Sequence, residues 1–348
     1  MTPFLEHARQ GRKIVVVDLG FLGDSVHLVP ALWEIKRNCP QAQLHTLSAP
    51  VGAELLGLVP CVDRPWAFPL TPQSPPWWRH WDILLELRRQ RFDAAINFSG
   101  SDRSLFLTAL TGARWRLGCE AGRRHFWNSW LIPLWEPRQA RHLPVFEQRR
   151  QVLAAQGFSL EAPRFDFRLS AESKQWAEAN VAKQSIHLSI NASMALKEWP
   201  LGHWIALINK LLATFPSVSL CLTASANARE QERLRQLAAE VKDERVRSFA
   251  GLHLGHLCAL LQRCRLHVGV DSGALHLAMA LGRPTVTIFR QYDGLSEWAP
   301  AGPRHRMVSA PCHCNKVLQP ACRASGQAQC LAAITAEEVF AAVAAAAG

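Results

Sequence analysis

An aspartate on a glycine-containing turn is the first residue of this chain that could carry acid–base chemistry. Asp24 follows an apolar strand pattern at 13–18 and lies just before a helical pattern running from Val26 to Asn38. A carboxylate at the carboxyl end of a parallel strand could accept a proton from a substrate hydroxyl. An ordinary acid near a helix start is the alternative interpretation, and the spacing alone favours that alternative.

A second turn has the features of an anion site. An apolar strand pattern at 266–270 stops at Asp271-Ser272-Gly273, and a helical pattern follows directly. A helix that starts after such a turn presents unpaired backbone N–H groups and the positive end of its dipole, which suits a phosphate. His276 could bind that phosphate or orient Asp271, or it could be a buried core histidine.

Lys197 lies in a loop, residues 191–200, between a strand pattern and a helical pattern. Its ammonium group could reach a phosphate, although an ordinary surface lysine is the simpler explanation for the residue taken alone. The chain contains no D-x-D, no P-loop motif and no G-x-S-x-G. These absences argue against a metal-bound sugar diphosphate, a P-loop nucleotidase and a serine hydrolase.

The composition predicts a globular protein of two domains. The chain has 348 residues, is 49% hydrophobic and carries a net charge of +11. We find no signal-peptide pattern at the amino terminus and no apolar stretch long enough for a membrane span, so we expect a cytoplasmic protein.

The positive charge is concentrated in residues 103–150, which hold nine arginines, three acids and four tryptophans. Arginine combined with tryptophan suits an anionic amphiphilic partner such as a membrane surface, a phosphorylated lipid or nucleic acid. A solvated basic face is the alternative. We favour that alternative for any single arginine and the anionic partner for the cluster as a whole.

Four cysteines lie close together near the end of the chain: Cys312, Cys314, Cys322 and Cys330. Their spacing lacks the paired C-x2-C elements of a structural zinc site. Disulfides are uncommon in a reducing cytosol, so we expect reduced cysteines that pack a loop, with a metal cluster as the less favoured alternative.

Strand and helix patterns alternate twice along the chain, which predicts two doubly wound α/β domains facing each other across a cleft. A polar stretch near 161–174 separates a domain of residues 1–170 from a domain of residues 171–348, and a last helix, 335–347, could return to the first domain. The strand patterns lie at 13–18, 43–47, 92–98, 186–190, 218–223, 266–270 and 285–289, and residues 60–81 read as an irregular loop.

Taken together, these residues resemble the bacterial heptosyltransferase family, glycosyltransferase family nine, of lipopolysaccharide core synthesis. Residues 22–32 resemble the family's L-G-D…P-A-L element, and residues 197–200 its K-x-W-P loop. Residues 271–284 resemble its D-[ST]-G-x-x-H-L-A…L-G-x-P element, which is the most specific of the three. The similarity extends in the same order from residue 13 to residue 341.

The resemblance implies a GT-B fold and an inverting, metal-independent transfer of heptose from ADP-heptose to an anionic lipopolysaccharide precursor, with no cofactor and no nucleic-acid partner. Asp24 would be the general base. The same resemblance implies peripheral contact with the cytoplasmic face of the inner membrane. The donor would be held by Lys197, Ser193, Asp271, Ser272, Gly273 and His276, and the acceptor by Gly23, Arg123 and Arg124.

Two departures from the family pattern keep alternatives open. The turn at 223–228 lacks the usual glycines, and the glutamate that the family uses for the nucleotide ribose is displaced to Glu230. Arg290 stands where the family usually has glycine. Transfer of another nucleotide-activated sugar is therefore one alternative. A non-catalytic relative that binds an anionic surface is the other, and the joint presence of Asp24, Lys197 and His276 argues against it.

Overall fold

The computed structural model describes residues 3–69, 77–119, 127–137, 142–292, 294–312 and 320–347. The chain divides into two compact units, one ending at Arg168 and the other beginning at Leu169. No helix in the described part of the chain is both long enough and apolar enough to cross a membrane.

The first unit is a six-stranded parallel sheet with helices on both faces, and its strand order is β3-β2-β1-β4-β5-β6. Its strands are β1 (Lys13–Asp18), β2 (Gln43–Ser48), β3 (Arg64–Ala67), β4 (Ala94–Asn97), β5 (Trp115–Cys119) and β6 (Leu134–Glu136). Its helices are α1 (Phe4–Gln10), α2 (Leu22–Asn38), α3 (Pro50–Leu56), α4 (Trp81–Arg89), α5 (Asp102–Leu110), α6 (Asn128–Leu131) and α7 (Val145–Ala155).

The central strand β1 is apolar on both faces because both faces are covered. Ile14 and Val16 pack in a core with residues of α1, α2 and α7, whereas Val15 and Val17 pack in a second core with residues of α4 and α5. Alternation of side chains along a strand sends successive residues to opposite faces, so a strand buried on both sides reads as a continuous hydrophobic run. This explains why β1 can be predicted from the sequence.

The second unit repeats the architecture with the strand order β12-β11-β10-β7-β8-β9. Its strands are β7 (Ile186–Ser189), β8 (Leu220–Ala224), β9 (Val246–Ala250), β10 (Leu266–Val270), β11 (Thr285–Gln291) and β12 (His305–Pro311). Its helices are α8 (Ala171–Asn180), α9 (Leu201–Thr214), α10 (Ala228–Glu240), α11 (Leu254–Arg263), α12 (Gly273–Ala280), α13 (Leu295–Trp298), α14 (Pro320–Ser325), α15 (Gln329–Ala332) and α16 (Ala336–Ala347).

The last helix, α16, belongs to the core of the second unit. Val339 and Val343 are fully buried there with residues of α9 and of strands β10 and β11. The possibility that this helix also contacts the first domain stays a prediction.

The opposite face of the second sheet carries polar residues at its centre. The rings of His187 and His267 meet through their Nδ1 atoms at 2.8 Å, and His187 Nε2 lies 2.9 Å from Thr223 Oγ1. Burial lowers the pKa of His187 to about 3. The pair is therefore neutral and acts as hydrogen-bonded packing between three adjacent strands.

Three local predictions need correction. Residues 64–67 form strand β3 rather than a loop, and α4 begins at Trp81, within the stretch predicted to be irregular. Helix α2 begins at Leu22, four residues before the predicted start, so Asp24 lies inside its first turn.

Candidate active site

Asp24 is held by the turn that connects β1 to α2. The backbone N–H of Phe21 donates a hydrogen bond to Asp24 Oδ2 at 2.9 Å, so the carboxylate closes the amino-terminal end of its own helix. Gly20 makes this possible, since a Cβ added at that position would lie 2.5 Å from both Cβ and Cγ of Asp24. The side chain remains 26% exposed, which leaves the carboxylate accessible to a substrate.

Arg149, a buried residue of helix α7, binds the same turn. Its Nη2 lies 2.5 Å from Asp18 Oδ2 and 3.7 Å from Asp24 Oδ1, and its Nη1 donates a hydrogen bond to the Asp24 carbonyl oxygen at 2.6 Å. The Arg149 side chain is 2% exposed. It compensates two neighbouring carboxylates that would otherwise repel each other. Sequence reasoning missed this residue, because it lies 125 positions from Asp24.

In the second unit, the turn after β10 brings together three of the predicted residues. Lys197 Nζ lies 2.7 Å from Asp271 Oδ2, and His276 Nε2 lies 3.8 Å from Asp271 Oδ1. Burial, the largest influence, would raise the pKa of Asp271, but the His276 imidazole and the Lys197 ammonium outweigh it and lower the pKa to about 2. The carboxylate is therefore ionised at neutral pH.

Helix α12 begins at Gly273 without a side-chain cap. Ser272 occupies the cap position, but its hydroxyl lies 3.3 Å from Ser189 Oγ of β7 and makes no capping hydrogen bond. The first N–H groups of a helix have no acceptor within the helix. The start of α12 can therefore donate to an anion.

The loop that carries Lys197 is held by ion pairs of the buried Glu198. Glu198 lies 2.5 Å from Arg229 Nη1 and 3.2 Å from Arg233 Nε, and its Oε1 also accepts a hydrogen bond from the backbone N–H of Ala192. Both arginines come from α10. These contacts fix the loop on both sides of Ser193, whose side chain is exposed.

The turn before α10 is organised by its own side chains. Asn227 caps the helix by accepting from the backbone N–H of Arg229 at 2.9 Å, and Glu230 Oε2 accepts from the backbone N–H of Ser225 at 3.0 Å. Glu230 is thus folded back onto the turn.

Two aromatic residues that follow β11 in the chain lie near the turn at Asp271. The Trp298 ring meets His276 edge-on, with centroids 5.6 Å apart. Burial and then the charge of Asp271 raise the pKa of Tyr292 to about 12, so its phenol is neutral. Sequence reasoning missed Tyr292 and Trp298, which have no spacing signature relative to Asp271.

The remaining predicted residues lie next to Asp24, outside the described part of the chain, or near the end of the second unit. Gly23 is buried in the first turn of α2. Arg123, Arg124 and Cys314 lie outside the described residues. Burial, followed by the neighbouring Cys312, raises the pKa of Cys330 to about 11.

Part of the basic charge of residues 103–150 is used inside the first unit. Besides Arg149, Arg150 is buried and pairs with Glu34 and Glu147. Arg116 donates to the backbone oxygens of Ala113 and Leu131. The described arginines therefore do not form one continuous basic surface, and Trp130, which is 82% exposed, is the more conspicuous surface feature there.

The model of glycosyltransferase family 9 (heptosyltransferase) matches residues 80–327, which is most of the chain and includes the Lys197 loop and the turn at Asp271. The chain belongs to this family. It is 28% identical over 295 residues to lipopolysaccharide heptosyltransferase 1 of Pseudomonas aeruginosa, covering 80% of this chain and 78% of the relative. It is 22% identical to the Escherichia coli K12 heptosyltransferase 1, covering 85% and 96%.

Solved structures of similar fold include E. coli ADP-heptose LPS heptosyltransferase II, with a TM-score of 0.76 and 20% identity over 96% of this chain and 98% of that one. E. coli heptosyltransferase WaaC with ADP-2-deoxy-2-fluoro heptose has a TM-score of 0.74 and 20% identity over 96% and 99%. These similarities, together with the two parallel sheets, establish a GT-B fold, and family membership makes the protein a glycosyltransferase.

Proposed function

We propose that this protein transfers heptose from ADP-heptose to a lipopolysaccharide precursor, with inversion at the sugar carbon and without a divalent metal. The relatives named for lipopolysaccharide heptose transfer and the structure solved with an ADP-heptose analogue support the substrates. The observation that carries the proposal is the pairing of Lys197 with Asp271 beside the uncapped start of α12. It supplies cationic and N–H groups for a leaving diphosphate.

In this proposal, Asp24 is the general base. Its carboxylate accepts the proton of the acceptor hydroxyl as the hydroxyl oxygen forms its bond to the sugar carbon. The bond from that carbon to the diphosphate breaks in the same displacement, and ADP leaves. Gly20 and Arg149 are positioning residues, because they hold the carboxylate against the turn while leaving part of it exposed.

The donor side stabilises the leaving group. Lys197, Ser193 and the N–H groups at Ser272 and Gly273 bind the diphosphate, whose negative charge grows as the glycosidic bond breaks. Asp271 holds the lysine ready in the absence of the anion, and His276 orients Asp271. Preorganised groups of this kind stabilise charge without first having to reorient.

On the acceptor side, Gly23, Arg123 and Arg124 bind the anionic precursor, and the protein works at the cytoplasmic face of the inner membrane. Two exposed aromatic residues of the first unit support contact with an amphiphilic acceptor. Phe21, 75% exposed, directly precedes the helix of Asp24, and Trp130 is even more exposed. Aromatic side chains of this kind favour the interface between water and lipid.

Transfer from a nucleotide sugar other than ADP-heptose is the alternative. The conformation of Glu230, which is folded back onto its turn, favours it. The Ser225 N–H already occupies one of its carboxylate oxygens, which reduces its capacity to bind a ribose. Thermal-shift measurements with ADP-, GDP- and UDP-sugars separate the two candidates. Stabilisation by ADP-heptose supports the proposal, and stabilisation by UDP- or GDP-sugars alone contradicts it.

The decisive experiment measures transfer of labelled heptose from ADP-heptose to a deep-rough acceptor by Asp24→Asn and Asp24→Ala. The asparagine retains an oxygen that can accept from Phe21 N–H but cannot act as a base. We expect it to lower kcat by about 10²–10⁴-fold, the range of general-base contributions. Asp102→Asn, which changes a first-turn acid of α5, is the matched control and should retain activity. Undiminished transfer by Asp24→Asn excludes the role of the base.

A further inference from the structure

Three potential metal ligands meet where helices α8 and α11 begin. Glu172 lies in the first turn of α8, His253 is the cap residue of α11, and His256 lies in the first turn of α11. His256 Nε2 is 2.9 Å from Glu172 Oε1, and the centroids of the two imidazole rings are 3.6 Å apart. One ligand atom from each of the three side chains lies within 4.8 Å of the others.

The two imidazole rings are held in place by their neighbours. Trp176 stacks on His256 with centroids 4.4 Å apart and itself packs against Phe249 of β9. His253 Nδ1 accepts a hydrogen bond from the backbone N–H of His256 at 3.3 Å, which leaves its Nε2 available as a ligand. Each ring is thus supported by a contact besides that of His256 with Glu172.

Gly255 allows the close approach of the two helices. A Cβ at this position would lie 2.8 Å from Ser173 Oγ and 3.2 Å from His253 Nδ1. A larger residue here would therefore crowd Ser173 and the His253 ring. Glu172 is largely exposed while His256 is mostly covered, so an ion can enter from solvent onto ligands that are already partly fixed.

Two imidazole nitrogens and one carboxylate oxygen form a ligand set that zinc uses in proteins, with the fourth position left to water. Tetrahedral bonds of roughly 2.0–2.2 Å place ligand atoms about 3.3–3.6 Å apart. One separation here is 2.9 Å and none exceeds 4.8 Å, so rotations of the side chains would complete the site. The partial positive charge of two helix starts lowers cation affinity by about two- to fivefold each, which the Glu172 carboxylate counteracts.

We propose that Glu172, His253 and His256 bind a divalent transition-metal ion, with zinc as the representative ion. The ion joins α8, the first helix of the second unit, to α11. The site is built from α8 and α11 and includes neither the Lys197 loop nor α12. Its role is to stabilise the fold. The proposal is therefore independent of the proposed transfer reaction.

The test is a titration of the full chain, without an affinity tag, with Zn²⁺ and with Co²⁺. We expect one equivalent to bind saturably and thermal stability to rise. At a hundredfold excess over Kd, the folding equilibrium constant increases by about a hundredfold through linkage. Bound Co²⁺ should show absorption typical of nitrogen and oxygen ligands and lack the intense thiolate band that cysteine ligation produces. Absence of saturable binding, or a thiolate band on the only bound Co²⁺, overturns the proposal.

Three conservative variants test the ligands one at a time. Glu172→Gln keeps the side-chain size, His253→Asn keeps the helix cap, and His256→Phe keeps the stack on Trp176. Each should raise Kd by at least about tenfold, since even outer partners of a metal ligand contribute that much. His7→Asn removes a histidine of α1 in the first unit and is the matched control, with unchanged Kd expected. Equal Kd values in all four variants contradict the assignment.

Discussion

The turns at Asp24 and at Asp271 have the same backbone plan but different electrostatics. Each follows the carboxyl end of a central strand and leads through a glycine-containing segment into a helix. At the first turn, the protein's own carboxylate closes the helix start. At the second, the start of α12 has no side-chain cap and a lysine lies beside it. One turn therefore presents a carboxylate, and the other presents backbone N–H groups beside a lysine.

The cations of the two turns differ in the same way. Arg149 is 2% exposed and pairs with a fully buried Asp18, whereas Lys197 is 29% exposed. A buried arginine held by several acceptors is part of the structure, and a partly exposed lysine can exchange its partner for a ligand. Loss of the arginine should therefore affect folding first, and loss of the lysine should affect turnover.

The largest effect should come from Arg149→Met. Removing one partner of a buried ion pair leaves an uncompensated charge on Asp18, and we expect the free energy of unfolding to fall by about 3–5 kcal/mol. Urea denaturation of the full chain measures this loss. Arg103→Met, at an exposed position in α5, is the control and should change stability by less than about 0.5 kcal/mol.

The double variant Asp18→Asn/Arg149→Met tests whether the unpaired Asp18 carboxylate causes this loss of stability. If the unpaired carboxylate is responsible, the double variant should be more stable than Arg149→Met alone. A loss below about 1 kcal/mol in the single variant, in the range of an exposed ion pair, would contradict the view that Arg149 is structural.

The difference between local and long-range contacts explains which residues of the two turns the sequence could predict. Lys197, Asp271 and His276 stand in short segments that resemble family motifs, and the structure brings all three together. Arg149 and Glu198 are equally central to the two turns, but each acts on residues that only folding brings near. Arg149 reaches Asp24 across 125 residues, and Arg229 reaches Glu198 across 31.

The same distinction applies to the strands. Central strands are buried on both faces and read as hydrophobic runs, so β1, β2, β4, β7, β8, β10 and β11 are predictable. The outer strands are short or half-exposed and carry charge, as in Arg116 of β5 and Arg247 of β9. Their pairing depends on the neighbouring strand more than on their own pattern.

Lys197→Met should affect turnover more than stability. Removal of one preorganised donor to a developing anion lowers kcat by about 10²–10³-fold. Steady-state kinetics with ADP-heptose measures this effect, and ADP binding should weaken in parallel. Lys210→Met, in an exposed pair with Glu337, is the control and should retain activity. A wild-type kcat in Lys197→Met would show that this lysine does not stabilise the leaving group.

The smallest effect should be the pH-dependent contribution of Asp271 to the free energy of unfolding. The variant Asp271→Asn removes this contribution. The pKa of the folded carboxyl is lowered from 3.8 to about 2, so its ionised form stabilises the folded state at pH values above 3.8. A shift of this size corresponds to about 2 kcal/mol, which is lost as pH falls through the folded value. Urea denaturation of both proteins between pH 7 and pH 3 should therefore show the stability difference shrinking by about half at the acidic end. A difference that stays constant over this range would mean that Asp271 titrates normally, and the two turns would then differ in geometry alone.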